Sequence, residues 1–137
     1  MESLLTQVDH IGIAVRDLTA AMAHYSVFGL TDWEIIELPE RHMRVAVGRV
    51  GATLLELIMP TSDAAAFSTF LAQRGEGLHH IAYTVDNIEA ALAQLEAAGV
   101  RLIDREPRPG IHNTRIAFLH PKALSGVLTE LVEHGHQ

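Results

Sequence analysis

The sequence predicts an α+β fold in which two βαβββ modules, related by a pseudo-two-fold axis, form one curved, barrel-like sheet with helices packed outside it. Two observations predict this fold. The hexapeptide HIGIAV at 10–15 recurs 70 positions later as HIAYTV at 80–85. Each copy is followed by the same succession of helix and strand patterns. Solenoid repeats are only about 20–50 residues long, so this longer repeat indicates a duplicated subdomain.

The first module begins with a strand over 8–15, which is rich in β-branched residues. Asp17 is placed to cap the following helix, whose apolar residues recur at helical spacing, and Gly29 is placed to end it. Segments 33–38, 44–47 and 53–59, which are separated by Pro39, Gly48 and Gly51, are predicted as the remaining three strands. The module therefore spans about 8–60.

The second module repeats this plan over about 78–133, after a connector at 61–77 that is predicted to be helical at 64–73. A strand is expected at 78–85, then a helix capped by Asn87 and ended by Gly99. Three more strands are expected at 100–104, 115–119 and 126–132, with a turn-rich loop at 107–110. The 137 residues are expected to form a single domain, 1–137.

Composition excludes several function classes. The apolar share is 48%, enough for a packed core, yet no apolar run approaches the roughly 20 residues that a membrane helix needs. The net charge of −7 and the scattered basic residues argue against a nucleic-acid partner. Cysteine is absent, so disulfides and thiolate ligands are excluded. No signal-peptide pattern follows Met1, and we expect a cytoplasmic protein.

The repeat also duplicates two residue types that bind metals. His10 matches His80, and Glu56, between two leucines, matches Glu130, between threonine and leucine. A single glutamate on a strand usually points to solvent. Two glutamates at equivalent positions of the repeat, each preceded by an equivalent histidine, instead favour a functional site. His79 neighbours His80 and is expected to face the other way. Two imidazoles and two carboxylates suit a divalent metal, which the curved sheet would surround.

These residues lie in segments that resemble the vicinal oxygen chelate (glyoxalase and bleomycin-resistance) superfamily and, within it, the methylmalonyl-CoA epimerases. The matching segments are DHIGIAV at 9–15, GEGLHHIA at 75–82, IAFLHPK at 116–122 and GVLTEL at 126–131. The resemblance covers nearly the whole chain. It implies a metal-dependent interconversion of (R)- and (S)-methylmalonyl-CoA through an enolate. The expected ion is Co²⁺ or Mn²⁺, with Ni²⁺, Zn²⁺ or Mg²⁺ as alternatives.

The same resemblance gives Glu130 two roles, metal ligand and base at C2. Epimerisation needs a second acid/base group on the opposite face of the enolate. Some members of the family have a glutamate where this chain has Val45, which cannot transfer a proton. Three interpretations remain: a nearby residue (Glu37, Glu40 or His42), a water molecule, or a different chelating substrate.

The resemblance further implies an acyl-CoA substrate and, as a protein partner, a second copy of the chain in a homodimer. His112 is a candidate contact to the substrate carboxylate or thioester, and Arg108 and Lys122 are candidate contacts to CoA phosphates. Each could instead be a solvated surface residue. Methyl and ethyl substrates are not distinguished. A glyoxalase-type lyase and a metal-free binding or resistance module of the same fold are the alternative functions.

Overall fold

The computed structural model describes residues 3–135, which divide into two compact units. We call residues 10–79 the N-terminal unit, and residues 3–9 with 80–135 the C-terminal unit. No helix in the described part of the chain combines the length and apolar character needed to cross a bilayer.

The N-terminal unit is built on four strands and two helices. The elements in chain order are β1 (Gln7–Ala14, whose first residues belong to the other unit), α1 (Leu18–Ser26), β2 (Glu34–Leu38), β3 (Met43–Val50), β4 (Thr53–Pro60) and α2 (Ser68–Arg74), with a 3-10 turn at Pro39–Arg41. The strand order is β2-β3-β4-β1. β1 runs parallel to β4, and the other pairs are antiparallel.

The C-terminal unit has the same topology. Its elements are β5 (Gly77–Thr84, whose first residues belong to the other unit), α3 (Ile88–Ala97), β6 (Arg108–Pro109), β7 (Thr114–Leu119) and β8 (Thr129–His134), with a 3-10 turn at Pro121–Leu124. The strand order is β5-β8-β7-β6, with β5 parallel to β8 and the other pairs antiparallel. The predicted pair of βαβββ modules is therefore confirmed.

Helices α1 and α3 begin and end as the sequence predicts, whereas α2, expected over 64–73, begins only at Ser68. The Asp17 carboxylate accepts a hydrogen bond from the Ala20 amide, and the Asn87 side-chain oxygen accepts one from the Ala90 amide, each at 3.0 Å. After α1 and α3 the chain turns through glycines with positive φ, 86° at Gly29 and 82° at Gly99, a conformation that favours glycine.

The two cores correspond position by position. Beneath α1 lie buried apolar residues from the helix, from β3 and β4, and from the position just after β1: Val15, Leu18, Ala21, Ala46 and Leu57. Beneath α3 lie their counterparts and two neighbours: Val85, Ile88, Ala91, Ala117 and Leu131, with Leu92 and Leu119. Because these residues occupy the helix side of each sheet, alternation sends Glu56 and Glu130 to the opposite side.

One predicted strand is wrong. Segment 100–104 forms no strand and makes only an isolated bridge from Leu102 to Leu119. The amides of Ile103 and Asp104 both donate to the Phe118 carbonyl, and the Asp104 carboxylate accepts the Phe118 amide at 2.8 Å. The Asp104 side chain thus occupies the position that a backbone carbonyl would take in a regular strand pair. The edge strand forms further along the chain, at Arg108–Pro109, where a loop was expected.

Candidate metal centre

His10 and Glu56 form a buried pair in the N-terminal unit. In the parallel β1–β4 register, Gly12 lies opposite Glu56, and His10 precedes Gly12 by two residues on the same face. His10 Nδ1 lies 3.4 Å from Glu56 Oε2. His10 is 5% exposed and Glu56 7% exposed. A carboxylate buried this deeply requires a compensating partner.

His80 and Glu130 form the equivalent pair in the C-terminal unit. Ala82 lies opposite Glu130 in the parallel β5–β8 register, and His80 precedes Ala82 by two residues. His80 Nε2 lies 3.3 Å from Glu130 Oε1, and both residues are 5% exposed. The structure therefore reproduces the same register, spacing and burial in both copies of the repeat.

The chemistry of each pair fits a divalent cation. Neutral imidazole nitrogen and carboxylate oxygen are the donors that Mn²⁺, Co²⁺, Ni²⁺ and Zn²⁺ accept. A bound cation compensates for the burial of carboxylate charge, which would otherwise be costly. The donor types, their burial and their duplication are thus compatible with metal binding.

His79 lies on the other side of β5 from His80. Its ring meets Phe67 and Phe70 edge-on, with centroid distances of 5.8 and 5.1 Å. Burial lowers the pKa of His79 to about 4, so the ring is neutral at pH 7. His79 therefore packs against the connector that carries α2, in agreement with the expectation that it faces away from His80.

Apolar side chains surround Glu130 on its own face of the sheet. Phe118 lies directly opposite Glu130 in the β7–β8 register, and its ring meets the His80 ring edge-on at 5.7 Å. Ala82, Ile116 and Val132 form a small buried cluster beside Phe118. These groups exclude water around Glu130, which strengthens electrostatic interactions there. Sequence reasoning missed Phe118, although its place opposite Glu130 follows once the strand register is known.

Arg108 lies above this apolar surface. Its guanidinium carbon is 5.4 Å from the centre of the Phe118 ring, a cation–π contact. Arg108 Nε also lies 3.4 Å from Asp104 Oδ2, and the side chain is half exposed. The side chain of Arg108, the predicted substrate-binding arginine, thus contacts Phe118 and Asp104 and is half exposed.

The candidates for the second base lie in different places. Glu37 ion-pairs with Arg44, its direct partner in the β2–β3 register, on the helix side of the sheet. Glu40 is exposed in the 3-10 turn, and His42 follows that turn with a φ of 55°. Val45 is 1% exposed and shares a face with Glu56, because Val47 lies opposite Glu56. The geometry therefore argues against Glu37 as the second base. Glu40 and His42 lie on an exposed turn and stay candidates.

The other predicted contacts lie in exposed segments of the C-terminal unit. His112 is exposed in a turn with a φ of 55°. Lys122 is exposed in the 3-10 turn, and its amide donates to His120 Nδ1 at 3.1 Å. Partial burial and the nearby charges of Arg101 and Lys122 lower the pKa of His120. Lys122 therefore belongs to a small group of cations beside His120.

Another buried carboxylate was missed by sequence reasoning. Asp9 is 6% exposed, accepts a hydrogen bond from Thr84 Oγ1 at 3.2 Å, and lies 2.5 Å from His134 Nε2. This cluster joins the start of β1 to the ends of β5 and β8 within the C-terminal unit. Its partners come from distant segments, so nothing local in the sequence could reveal it.

Known proteins are similar to this chain over nearly its whole length. Residues 9–118 match the model of the glyoxalase/bleomycin resistance protein/dioxygenase superfamily. The human mitochondrial methylmalonyl-CoA epimerase is 37% identical over 93% of this chain and 73% of its own length. The ethylmalonyl-CoA/methylmalonyl-CoA epimerase of Cereibacter sphaeroides is 34% identical over 93% of this chain and 98% of its own length.

A solved structure of a methylmalonyl-CoA epimerase in complex with methylmalonyl-CoA and NH₄⁺ is similar in fold. It superposes with a TM-score of 0.89 at 40% identity, covering 96% of each chain. The agreement extends over both units, so the chain has the same fold as that epimerase.

Proposed function

Because this chain belongs to the glyoxalase/bleomycin resistance protein/dioxygenase superfamily, we propose that it is a metal-dependent epimerase that interconverts (R)- and (S)-methylmalonyl-CoA by proton transfer at C2. The observation that carries the proposal is the duplicated, buried histidine–glutamate pair. Similarity to epimerases over more than nine-tenths of the chain supports the reaction and the acyl-CoA substrate.

We assign His10, Glu56, His80 and Glu130 as the ligands of one divalent ion. Co²⁺ and Mn²⁺ suit two imidazoles and two carboxylates, and Ni²⁺, Zn²⁺ and Mg²⁺ are the alternatives. When bound, the ion would act as a Lewis acid toward the substrate's thioester and carboxylate oxygens, which favours loss of the proton between them. The burial of all four side chains supports this assignment, since buried carboxylates need a cationic partner.

Glu130 is the proposed base on one face of C2. Its carboxylate takes the C2 proton, and the electron pair of the broken C–H bond is delocalised into the enolate. Phe118, Ile116 and Val132 help to keep water from this carboxylate. The edge-on contact with Phe118 helps to fix the His80 ring beside Glu130.

Arg108 is the proposed anion-binding residue. Its contacts with Phe118 and Asp104 restrict the side chain and leave part of it exposed, so it can bind a carboxylate or phosphate of the substrate. His112 and Lys122 are the further proposed contacts, and both are exposed. An acyl-CoA offers both kinds of anion, and the Cereibacter sphaeroides relative is named for ethylmalonyl-CoA as well as methylmalonyl-CoA.

A stereochemical assay tests the function. Metal-stripped protein is incubated with (S)-methylmalonyl-CoA, before and after addition of Co²⁺ or Mn²⁺, and formation of the (R) isomer is followed. We expect inversion only with metal, and loss of inversion in Glu130→Gln. Glu96→Gln, at an exposed position on α3, is the matched control and should keep the wild-type rate.

Other outcomes would favour the alternatives. Metal binding without inversion, but with conversion of a hemithioacetal, would indicate a glyoxalase-type lyase. Ligand binding without metal or turnover would indicate a binding or resistance module. The proposed assembly is a homodimer, which light scattering of the purified protein measures directly.

A further inference from the structure

We propose that Glu34 is the second proton-transfer group, acting on the face of C2 opposite to that served by Glu130. The inference rests on the proposed function and supplies the acid/base group that Val45 cannot provide. Glu130 takes the C2 proton, and the carboxylic acid of Glu34 then donates a proton to the other face of C2. In the reverse direction the two residues exchange roles, and both re-equilibrate with solvent between turnovers.

The strand register places Glu34 in line with Glu56. Glu34 lies directly opposite Val47 in the antiparallel β2–β3 pair, and Val47 lies directly opposite Glu56 in the antiparallel β3–β4 pair. Directly opposite residues point to the same face, with Cβ atoms about 5 Å apart. The Cβ atoms of Glu34 and Glu56 are therefore about 10 Å apart on one face, with Val47 between them.

The neighbours of Glu34 support this orientation independently. Trp33, the preceding residue, packs into the core beneath α1, where its ring meets Tyr25 at 5.9 Å and covers Gly48. Ile35, the next residue of β2, lies directly opposite Ala46 of the same core. Successive residues of a strand point to opposite faces, so Glu34 points away from α1. Glu37 lies three residues further along β2, so its side chain points to the helix side, where it pairs with Arg44.

Few ionisable groups share this face. Among the described residues of β2, β3 and β4, the alternation leaves Glu34 and Glu56 as its carboxylates and Arg49 as its cation. Glu56 is assigned to the metal, so Glu34 is the carboxylate that remains for proton transfer. Val47, between the two glutamates, and Val45, two residues away on the same face of β3, are both buried and apolar, which suits contact with a small acyl group.

Glu34→Gln tests the inference when exchange and inversion are measured separately. Each isomer of methylmalonyl-CoA is incubated in deuterium oxide with metal-loaded protein, and C2 deuteration and configuration are followed by NMR and chiral analysis. We expect inversion to fall at least about 100-fold, the contribution typical of a general acid or base. The isomer whose C2 proton faces Glu130 should still exchange, whereas the other isomer should not.

Three comparison variants sharpen the test. Glu34→Asp, which keeps a shorter carboxylate, should recover part of the inversion. Glu37→Gln should leave exchange and inversion at wild-type rates. Mn²⁺ affinity, measured by electron paramagnetic resonance, should be the same in Glu34→Gln and wild type, because Glu34 is not a ligand.

Wild-type inversion in Glu34→Gln would overturn the inference while leaving the epimerase itself intact. Selective loss of inversion in Glu37→Gln, Glu40→Gln or His42→Gln, with none in Glu34→Gln, would overturn it in favour of that residue. A wild-type protein that neither exchanges nor inverts either isomer would instead refute the proposed function, and this inference with it.

Discussion

Glu56 lies directly across from Gly12 in the parallel β1–β4 pair, and this register brings the glutamate to 3.4 Å from His10. The β5–β8 pair repeats the relationship with Glu130 across from Ala82. Slipping either strand by one residue would turn its glutamate to the helix side, where the apolar core lies. The candidate ligands are thus positioned by the same register that packs the two cores.

Replacing any one of His10, Glu56, His80 or Glu130 with alanine should weaken Co²⁺ or Mn²⁺ binding by more than about 100-fold, since even outer-shell changes cost 10–100-fold. Competition with a chelator of known affinity measures the loss. His79→Gln is the matched control, because His79 packs against Phe67 and Phe70 on the other side of β5. A loss of metal in His79→Gln equal to that in His80→Ala would contradict the assignment.

Arg108→Met should raise the KM for methylmalonyl-CoA by roughly tenfold, since a charge-assisted hydrogen bond contributes about 1.5–3 kcal/mol. Metal affinity should be unchanged. Steady-state kinetics at saturating metal give the KM. Arg105→Met is the control, because Arg105 is largely exposed and pairs with Glu96 at 3.8 Å. An unchanged KM in Arg108→Met would mean that Arg108 does not contact the substrate.

Gly48→Ala should destabilise the protein by about 1–3 kcal/mol, the usual cost of overpacking. A Cβ at Gly48 would lie 3.0 and 3.1 Å from two carbons of the Trp33 ring and 3.3 Å from Leu30 Cδ2. Urea unfolding measures the loss. In a Trp33→Leu background the same substitution should cost less, and an equal cost in both backgrounds would show that Trp33 does not cover Gly48.

Asp17→Ala and Asn87→Ala should each destabilise the protein by about 1 kcal/mol, because each removes the side-chain cap of a helix. Thermal and urea unfolding provide the values. Asp17→Asn retains a capping oxygen and should cost much less. If the alanine and asparagine variants at position 17 were equally destabilised, the carboxylate would not be acting as a cap.

The sequence repeat predicted most of the fold and the two buried histidine–glutamate pairs, because both copies of a duplicated segment keep the same strand register. His10 and His80 occupy the same place in two copies of one segment, so the same strand pairing brings a glutamate to each. The two helix caps were also predictable, since Asp17 and Asn87 act on amides only three residues away.

Features that depend on distant contacts were not predictable. The strand expected at 100–104 is lost because Asp104 binds the Phe118 amide, a contact between residues 14 positions apart. Glu34 and Glu37 are three residues apart on one strand and must face opposite ways, but the sequence does not say which faces Glu56. That choice is made by the pairing of Glu34 with Val47 and by the packing of Trp33 under α1.

The most direct test of the account is a titration of metal-stripped protein with Co²⁺, in which bound metal and inversion of methylmalonyl-CoA are measured on the same samples. If the two histidine–glutamate pairs bind one ion that supports epimerisation, both signals should saturate together at one Co²⁺ per chain. Two results would contradict the account. One is saturation at two ions per chain, with removal of either histidine–glutamate pair abolishing only one of them. The other is full inversion by the metal-stripped protein.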